Sequence, residues 1–484
     1  MESERNTSPL EEFPSLRLSR RSLLRGVGAG IVGVSLAACS SNSNKNSNTT
    51  TGKAATSAPA GAGSAGAGSG TTAATSGTPT FKPPQGASLS ILVWSHFIPA
   101  YDEYLDKYVK DWGGKNNVKA TIDHVSIDDI PGRLAAEVAA GKGHDLFEFA
   151  GQVKTRVYEK QLVDFNDIVD GLAKLYGDPI AVAKNLGVVN GKWKVVPSFG
   201  VLQPPLVRGD LLKQIGMSAP TSWDEVLKVG AALKKAGHPC GFAVSHCNDA
   251  NHNWRGVMNS FGASEVGPDG KTITADSKEM REFLGWAKQF GAECNNTPAV
   301  FAWDNASDNR YLGSGEGGFI HDAISGLRSI QPQNPPVYDA VQVLPELKGT
   351  MKTVHVADYN MWGMWSFTPK GNQEAAKAFL WDHLTHQREN DIASTGYNHP
   401  MFTNQFKQPM PVIGDDPKYN VLQEYKGDLL QNYGWPGPAN APAEEVLAQF
   451  LIPDMVAKVQ QGTSIDDGIK FLINQMKPIY AKYA

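Results

Sequence analysis

The stretch Val196 to Leu233, VPSFGVLQPPLVRGDLLKQIGMSAPTSWDEVLKVGAAL, decides how the rest of the chain is read. It begins as an apolar extended run, turns at Pro204-Pro205 and ends in an amphipathic helix with its own start signal. Ser222 can accept a hydrogen bond from the free N–H groups of the first turn, and Glu225, three residues on, can reach back, which makes a capping box. Pro220 keeps that helix from starting earlier. Trp223, Val226, Leu227, Gly230 and Leu233 recur at helical spacing and predict one buried stripe. By itself this is a strand-to-helix connection.

Outward from it, strand and helix alternate. Leu89 to Trp94 is a compact β-prone run, followed by a helix with Pro99 near its first position and Tyr101, Tyr104, Leu105, Tyr108, Val109 and Trp112 along one face. Lys119 to Val125 alternates as a second strand. Ile130, Leu134 and Val138 mark a helix that Gly141 stops, and Asp145 to Phe149 reads as a third strand. This is the spacing of βαβ units and predicts a parallel α/β sheet. Asn190-Gly191 between two short β-prone runs predicts a hairpin. Further on, Gly241 to Ser245 reads as a strand and Ser277 to Phe290 as a helix, and Ser464 with Asp467 caps a last amphipathic helix.

Arg208-Gly209-Asp210-Leu211-Leu212, Ile215-Gly216-Met217 and Pro220-Thr221-Ser222-Trp223-Asp224-Glu225 together resemble the signature of bacterial extracellular solute-binding proteins of the carbohydrate (family 1) type. Members of that family deliver solutes to ABC transporters. Val207-Arg208 departs from the family's usual Tyr-Asn, so nothing is carried over to those two positions. The Gly-rich run Tyr311 to Ile320, Asp339 to Gly349, Asn372 to Leu384 and the C-terminal helix match other family elements in the expected order. The resemblance implies a two-lobed periplasmic-binding-protein-like fold of type II, with hinge-linked α/β lobes and a ligand cleft between them. It places residues 88–200 with about 355–405 in an N-terminal lobe, and 201–354 with about 406–484 in a C-terminal one.

The chain has 484 residues, enough for two or three domain-sized cores, and its 41% hydrophobic content suits a globular protein. A net charge of −4, evenly mixed, argues against nucleic acid as a partner. Residues 1–38 read as a targeting segment. Ser19-Arg20-Arg21-Ser22-Leu23-Leu24-Arg25 resembles a twin-arginine export motif, a short apolar run follows, and Leu36-Ala37-Ala38-Cys39 resembles a lipobox that would leave Cys39 as the lipidated N-terminus. From Ser40 to about Ala87 the chain is mostly Ser, Asn, Thr, Gly and Ala, and such a tether would hold its ends on the order of 40 Å apart. The expected protein is a monomer anchored to the outer face of the cell membrane by its lipid.

Catalytic signatures are missing: there is no Gly-x-Ser-x-Gly and no His-Glu-x-x-His, and where a phosphate loop would need its first glycine the chain has Glu265. No cofactor and no metal is expected. His238, Cys240, His246, Cys247 and His252 cluster locally, but at no common zinc spacing. One disulfide among Cys240, Cys247 and Cys294 is compatible with an exported protein, in any of three pairings. Eleven tryptophans are the most informative feature. An indole stacks on the C–H face of a sugar while polar side chains satisfy its hydroxyls. Trp112, Trp193, Trp223, Trp286 and Trp381 fall on helix stripes or the hairpin and are assigned to packing. Trp94, Trp254, Trp303, Trp362 and Trp435 fall at strand ends or in loops and are candidates for the ligand. By position within the resemblance, Ser95, His96, Glu148, Gln203, Asp322 and Asn360 join them. The expected partners are a small solute, most simply a mono- or oligosaccharide, and the permease of an ABC importer. A secreted glycan-acting enzyme, or a binder of a polyamine or phosphodiester, are the rival readings, and the last would want concentrated charge in the cleft.

Overall fold

The computed structural model describes residues 80–408, 416–425 and 433–484. The export motif, Cys39 and the tether up to residue 79 lie outside them.

Strands β1 (Ser88–Trp94), β2 (Lys119–Val125) and β3 (Leu146–Ala150) form where the alternation predicts them. β1 pairs in parallel with both of the others. The helices between them, Pro99–Asn116 and Ile130–Ala140, carry proline in the first turn, and the second is stopped by Gly141 in the left-handed conformation. The hairpin forms from β4 (Val188–Val189) and β5 (Lys192–Trp193), with Asn190 and Gly191 both at positive φ, as a type I′ turn requires.

The opening stretch divides between two sheets. β6 (Val196–Leu202) belongs to a six-stranded sheet ordered β12-β6-β11-β3-β1-β2, and β7 (Pro205–Arg208) to a four-stranded sheet ordered β10-β7-β9-β8. Only Gln203 and Pro204 separate them. The smaller sheet is completed by β8 (Cys240–Gly241), β9 (Phe319–His321) and β10 (Val341–Val343). The chain then returns to the larger sheet as β11 (Ala357–Gly363), with β12 (His399–Pro400) at its edge. β11 runs antiparallel between β3 and β6, and β12 is antiparallel to β6. The larger sheet is therefore mixed, not purely parallel, because a strand arriving from the other lobe enters it in the opposite direction.

The helix Trp223–Lys235 is capped as its sequence requires: Ser222 Oγ accepts from the Glu225 N–H. Glu225 reaches one residue past the cap, to the Thr221 N–H and hydroxyl, at 2.7 Å each. Trp223, Val226, Gly230 and Leu233 are buried with Val229, and Leu227 is half-buried. At the C-terminus Ser464 caps Ile465–Lys482. Two features depart from the sequence reading. β8 is two residues long, because from Phe242 the backbone bonds to the Asn295 amide in place of a neighbouring strand. Residues 248–260, read as loop, form a helix in which all thirteen residues are buried.

Candidate functional site

The buried helix Asn248–Ser260 is polar over most of its length, and burial of polar groups requires partners. Several of those partners belong to the larger sheet's side of the molecule. Gln152, just after β3, donates to Asn248 Oδ1 at 3.1 Å, and His252 Nε2 lies 3.0 Å from the Gly151 carbonyl. Asn305 accepts from the Asp249 N–H and donates to Asp128, which follows β2. The faces of the two lobes are thus in direct hydrogen-bonded contact along this helix.

At that contact four aspartates converge. Asp249 sits in the first turn of the buried helix, Asp308 in the helix Ser307–Gly313 and Asp322 directly after β9, and ligand oxygens of these three all lie within 4.8 Å of one another. Asp358, on β11, belongs to the larger sheet, and its charge acts on both Asp249 and Asp322. All four are buried. At a separation of about 4.8 Å, two ionised carboxylates repel by about 3.5 kcal/mol in an effective dielectric of ~20. The four cannot all be ionised without compensation, and the surroundings supply little. None of the ion pairs among the described residues gives any of them a lysine or arginine. Arg310, on the same helix as Asp308, pairs with Asp304, and His252 is 3.9 Å from Asp358. Burial, then the neighbouring carboxylates, therefore hold Asp249 and Asp322 well above the usual range. Burial pushes Asp308 and Asp358 up to about 7.

Gln203, one of the two residues between the sheets, donates its amide to Asp249 Oδ1 at 3.2 Å. Its Oε1 is buried without a hydrogen-bond partner, as are Asp249 Oδ2 and Asp322 Oδ2. On the other side stands Tyr397, whose hydroxyl is pushed far up by burial and then by Asp322, Asp358, Asp249 and Asp308. Tyr397 packs against Trp94 and His96, with ring centroids 6.5 and 4.8 Å away.

Of the residues singled out from sequence, Gln203 and Asp322 lie in this cluster, and Trp94 and His96 border it through Tyr397. His96 spends both ring nitrogens locally, on Asn398 and the Ile98 N–H, and burial lowers it to about 4. Glu148 is buried beside Ser198 and Trp94, and burial raises it to about 8. Ser95 is exposed, its N–H bonded to the Val125 carbonyl. Asn360 is buried in β11 with Oδ1 unpartnered.

Two tryptophans are core residues and not loop platforms. Trp254 is fully buried in the polar helix, its indole N–H donated to the Ala243 carbonyl and its ring against Phe242, Phe283, Trp286 and Phe290. Trp362 lies within β11 and packs on Phe379 and His383. Trp303 is half-buried against Tyr311, and Trp435 carries the Lys352 ammonium 3.3 Å above its ring centre. The five are not brought together. The His/Cys cluster also disperses: His238 turns to the Glu316 carbonyl, His246 to Asp454 and His252 to Gly151. The three cysteines are free and buried, with Cys240 and Cys294 side by side across Gly230.

Among the described residues, some surface hollows lie away from this contact. One, of about 350 Å³, is lined by Tyr104, Lys107, Tyr108, Asp382, His386 and Glu389 on the outer helices of the larger sheet. Its Asp382 is engaged by the Tyr108 hydroxyl. Gln203 Oε1, Asp249 Oδ2 and Asp322 Oδ2, by contrast, lie where the lobes meet.

Two α/β lobes, the first crossover between them only two residues long, with unsatisfied polar side chains where their faces meet, are an architecture suited to closing around a small solute. The pattern that defines bacterial extracellular solute-binding proteins matches residues 107–419, and the chain belongs to that family. It is accordingly an exported binding protein and not an enzyme. No curated protein sequence matches it. Among solved structures, it is similar to a sugar transporter from Arthrobacter chlorophenolicus A6 with bound laminaribiose (17% identity, 81% of this chain and 99% of that one, TM-score 0.71). It is also similar to maltose-bound T. maritima MalE3 (19%, 81% and 99%, TM-score 0.69). A third is an ABC transporter solute-binding protein from Agrobacterium radiobacter K84 in complex with ribitol (16%, 82% and 100%, TM-score 0.69).

Proposed function

We propose that this protein captures a carbohydrate, a mono- or oligosaccharide, between its two lobes and passes it to the permease of an ABC importer. The observation that carries the reading is the unsatisfied set at the contact between the lobes. Gln203 Oε1 is an acceptor awaiting a donor, the unpartnered Asp249 Oδ2 and Asp322 Oδ2 belong to carboxyls that can accept or donate, and a sugar is a rigid array of hydroxyls that do both. Similar solved structures, bound to laminaribiose, maltose and ribitol, support the same solute class. The lobes are taken as 88–200 with about 355–405, and 201–354 with about 406–484, a division supported by strand membership in the two sheets. The signal at Arg20-Arg21 and the lipobox at Cys39 support twin-arginine export and a lipid anchor, with the head acting as a monomer on its tether.

A solute that contacts both lobes stabilises the closed form, because only that form touches it on two sides. Adding the cognate sugar therefore shifts tryptophan emission, Trp94 being at the border of the site, and raises the melting temperature. A panel of neutral, amino and acidic mono- and oligosaccharides that leaves both signals unmoved refutes the carbohydrate assignment.

A further inference from the structure

We propose that the solute held between the lobes carries a protonated amine beside its hydroxyls, an amino sugar, and that Asp249, Asp308, Asp322 and Asp358 receive the amine. The inference rests on the sugar-binding reading and narrows it. Two observations carry it independently.

The first is a set of buried carboxyls with no counter-charge. Three carboxylates within 4.8 Å of one another, and a fourth from the facing lobe, have no lysine or arginine ion partner among the described residues. Two other buried acids do have arginine partners, Glu265 with Arg255 and Glu444 with Arg156. A neutral sugar needs one or two such carboxyls and leaves the cluster protonated, as burial and mutual repulsion already keep it, whereas a cation lets the carboxyls ionise against a counter-charge. An ammonium group supplies the missing counter-charge to the whole cluster and, with three N–H donors, charge-assisted hydrogen bonds to as many as three of its carboxylates.

The second is the orphaned amide. Gln203 is 2% exposed, its Nε2 is committed to Asp249, and its Oε1 stands beside the cluster with no donor. An oxygen placed next to carboxylates adds a further acceptor to a site that already has an excess. That suits a ligand presenting N–H groups in several directions. The aromatic border of Tyr397 and Trp94 supplies a flat surface for the remainder of a sugar ring.

The test is calorimetric titration of the purified protein with matched ligands: glucosamine and its β-1,4-linked dimer, the N-acetylated forms of each, and glucose and cellobiose. Calcium chloride and spermidine are separate arms. The expected result is that an amine-bearing sugar binds on the order of tenfold or more tighter than its N-acetylated counterpart at pH 7. The Asp358→Asn substitution, and Asp322→Asn as a second variant, should bring that ratio towards one. Equal binding of amine and N-acetyl forms, or tighter binding of the neutral sugar, overturns the amine while leaving sugar capture standing. Saturable binding of calcium or spermidine with no sugar binding overturns both, in favour of a metal or a linear polyamine. A silent panel overturns both as well.

Discussion

Asp358 gives the most direct test of the buried carboxylate cluster, because its effect on stability changes with pH in a defined direction. Burial raises its carboxyl from the ordinary 3.8 to about 7 in the folded protein. A carboxyl with a raised folded pKa contributes stability that is present below its unfolded value and lost as pH climbs to the folded one. Between about pH 5 and pH 8 the unfolded chain has given up that proton and the fold keeps it over most of the range. Integrating the linkage gives a loss of about 2.6 kcal/mol. Asp358→Asn removes this contribution and keeps an acceptor for the Tyr359 N–H, which Asp358 Oδ1 now accepts. Buried His96, His252, His383 and His399, lowered to between about 3 and 4, work the other way below neutrality, but they are common to both proteins and cancel in the comparison. Relief of Asp249 and Asp322, which feel the Asp358 charge, adds in the same direction. Urea unfolding of wild type and variant at pH 5 and pH 8 measures the difference. The variant should gain on the wild type by roughly 2–3 kcal/mol over that span. A difference that stays flat, or moves in favour of the wild type as pH rises, refutes the account of the cluster.

Two further outcomes test the frame around the site. Glu265→Gln leaves Arg255 buried, 2% exposed, without its carboxylate, and should cost about 3–5 kcal/mol in thermal or urea unfolding. The double variant Arg255→Met/Glu265→Leu should recover most of that loss, and a double variant as unstable as the single would mean that the pair contributes more than mutual neutralisation. Gly191→Ala places a Cβ at φ +74° in the two-residue hairpin turn and should lower stability by about 1 kcal/mol, read as a drop in melting temperature without a change in sugar affinity.

The parts of the fold legible in the sequence are chiefly those where one face meets water. The helix at Trp223 has an apolar stripe, a polar face and a side-chain cap, and all three survive in the structure. The strand Lys119–Val125 and the Asn190-Gly191 turn share this quality, while Ser88–Trp94, buried on both faces, is legible by its continuous β-prone apolar run. Asn248–Ser260 has no such contrast. Its residues are buried on every side, so apolar and polar positions do not separate by face, and Asn248, Asp249, Asn251 and Asn253 read as loop chemistry. The strand Ala357–Gly363 is hidden for the same reason, with Asp358 and Asn360 buried between two neighbours. Trp254 and Trp362 read as ligand platforms because these two elements carry no visible period, and an indole outside any inferred stripe has no packing partner to claim it. The aspartates are harder still. Of the four, only Asp322 stands out, by its place after the Gly-rich run. Asp249, Asp308 and Asp358 come from different elements, and no local spacing brings them together.

The polarity of the contact between the lobes bears on how such a protein signals that it is loaded. Lobes that met through apolar surface would stay closed without solute, since burial alone would hold them. On the proposed reading, closure leaves Gln203 Oε1, Asp249 Oδ2 and Asp322 Oδ2 buried as they are in this structure, with no partner, and each such group costs about 1–3 kcal/mol relative to a hydrated one. The hydrogen bonds that closure forms in return, Gln152 to Asn248, His252 to Gly151 and Asn305 to Asp128, are ones that water replaces nearly as well when the lobes part. Closure without solute is therefore close to balanced at best, and the solute's own donors decide it. A ligand that partners these three groups offsets part of those penalties, its own donors having given up water, and biases the equilibrium towards the closed form by that differential affinity. The permease would then meet the closed form chiefly when a solute is inside it.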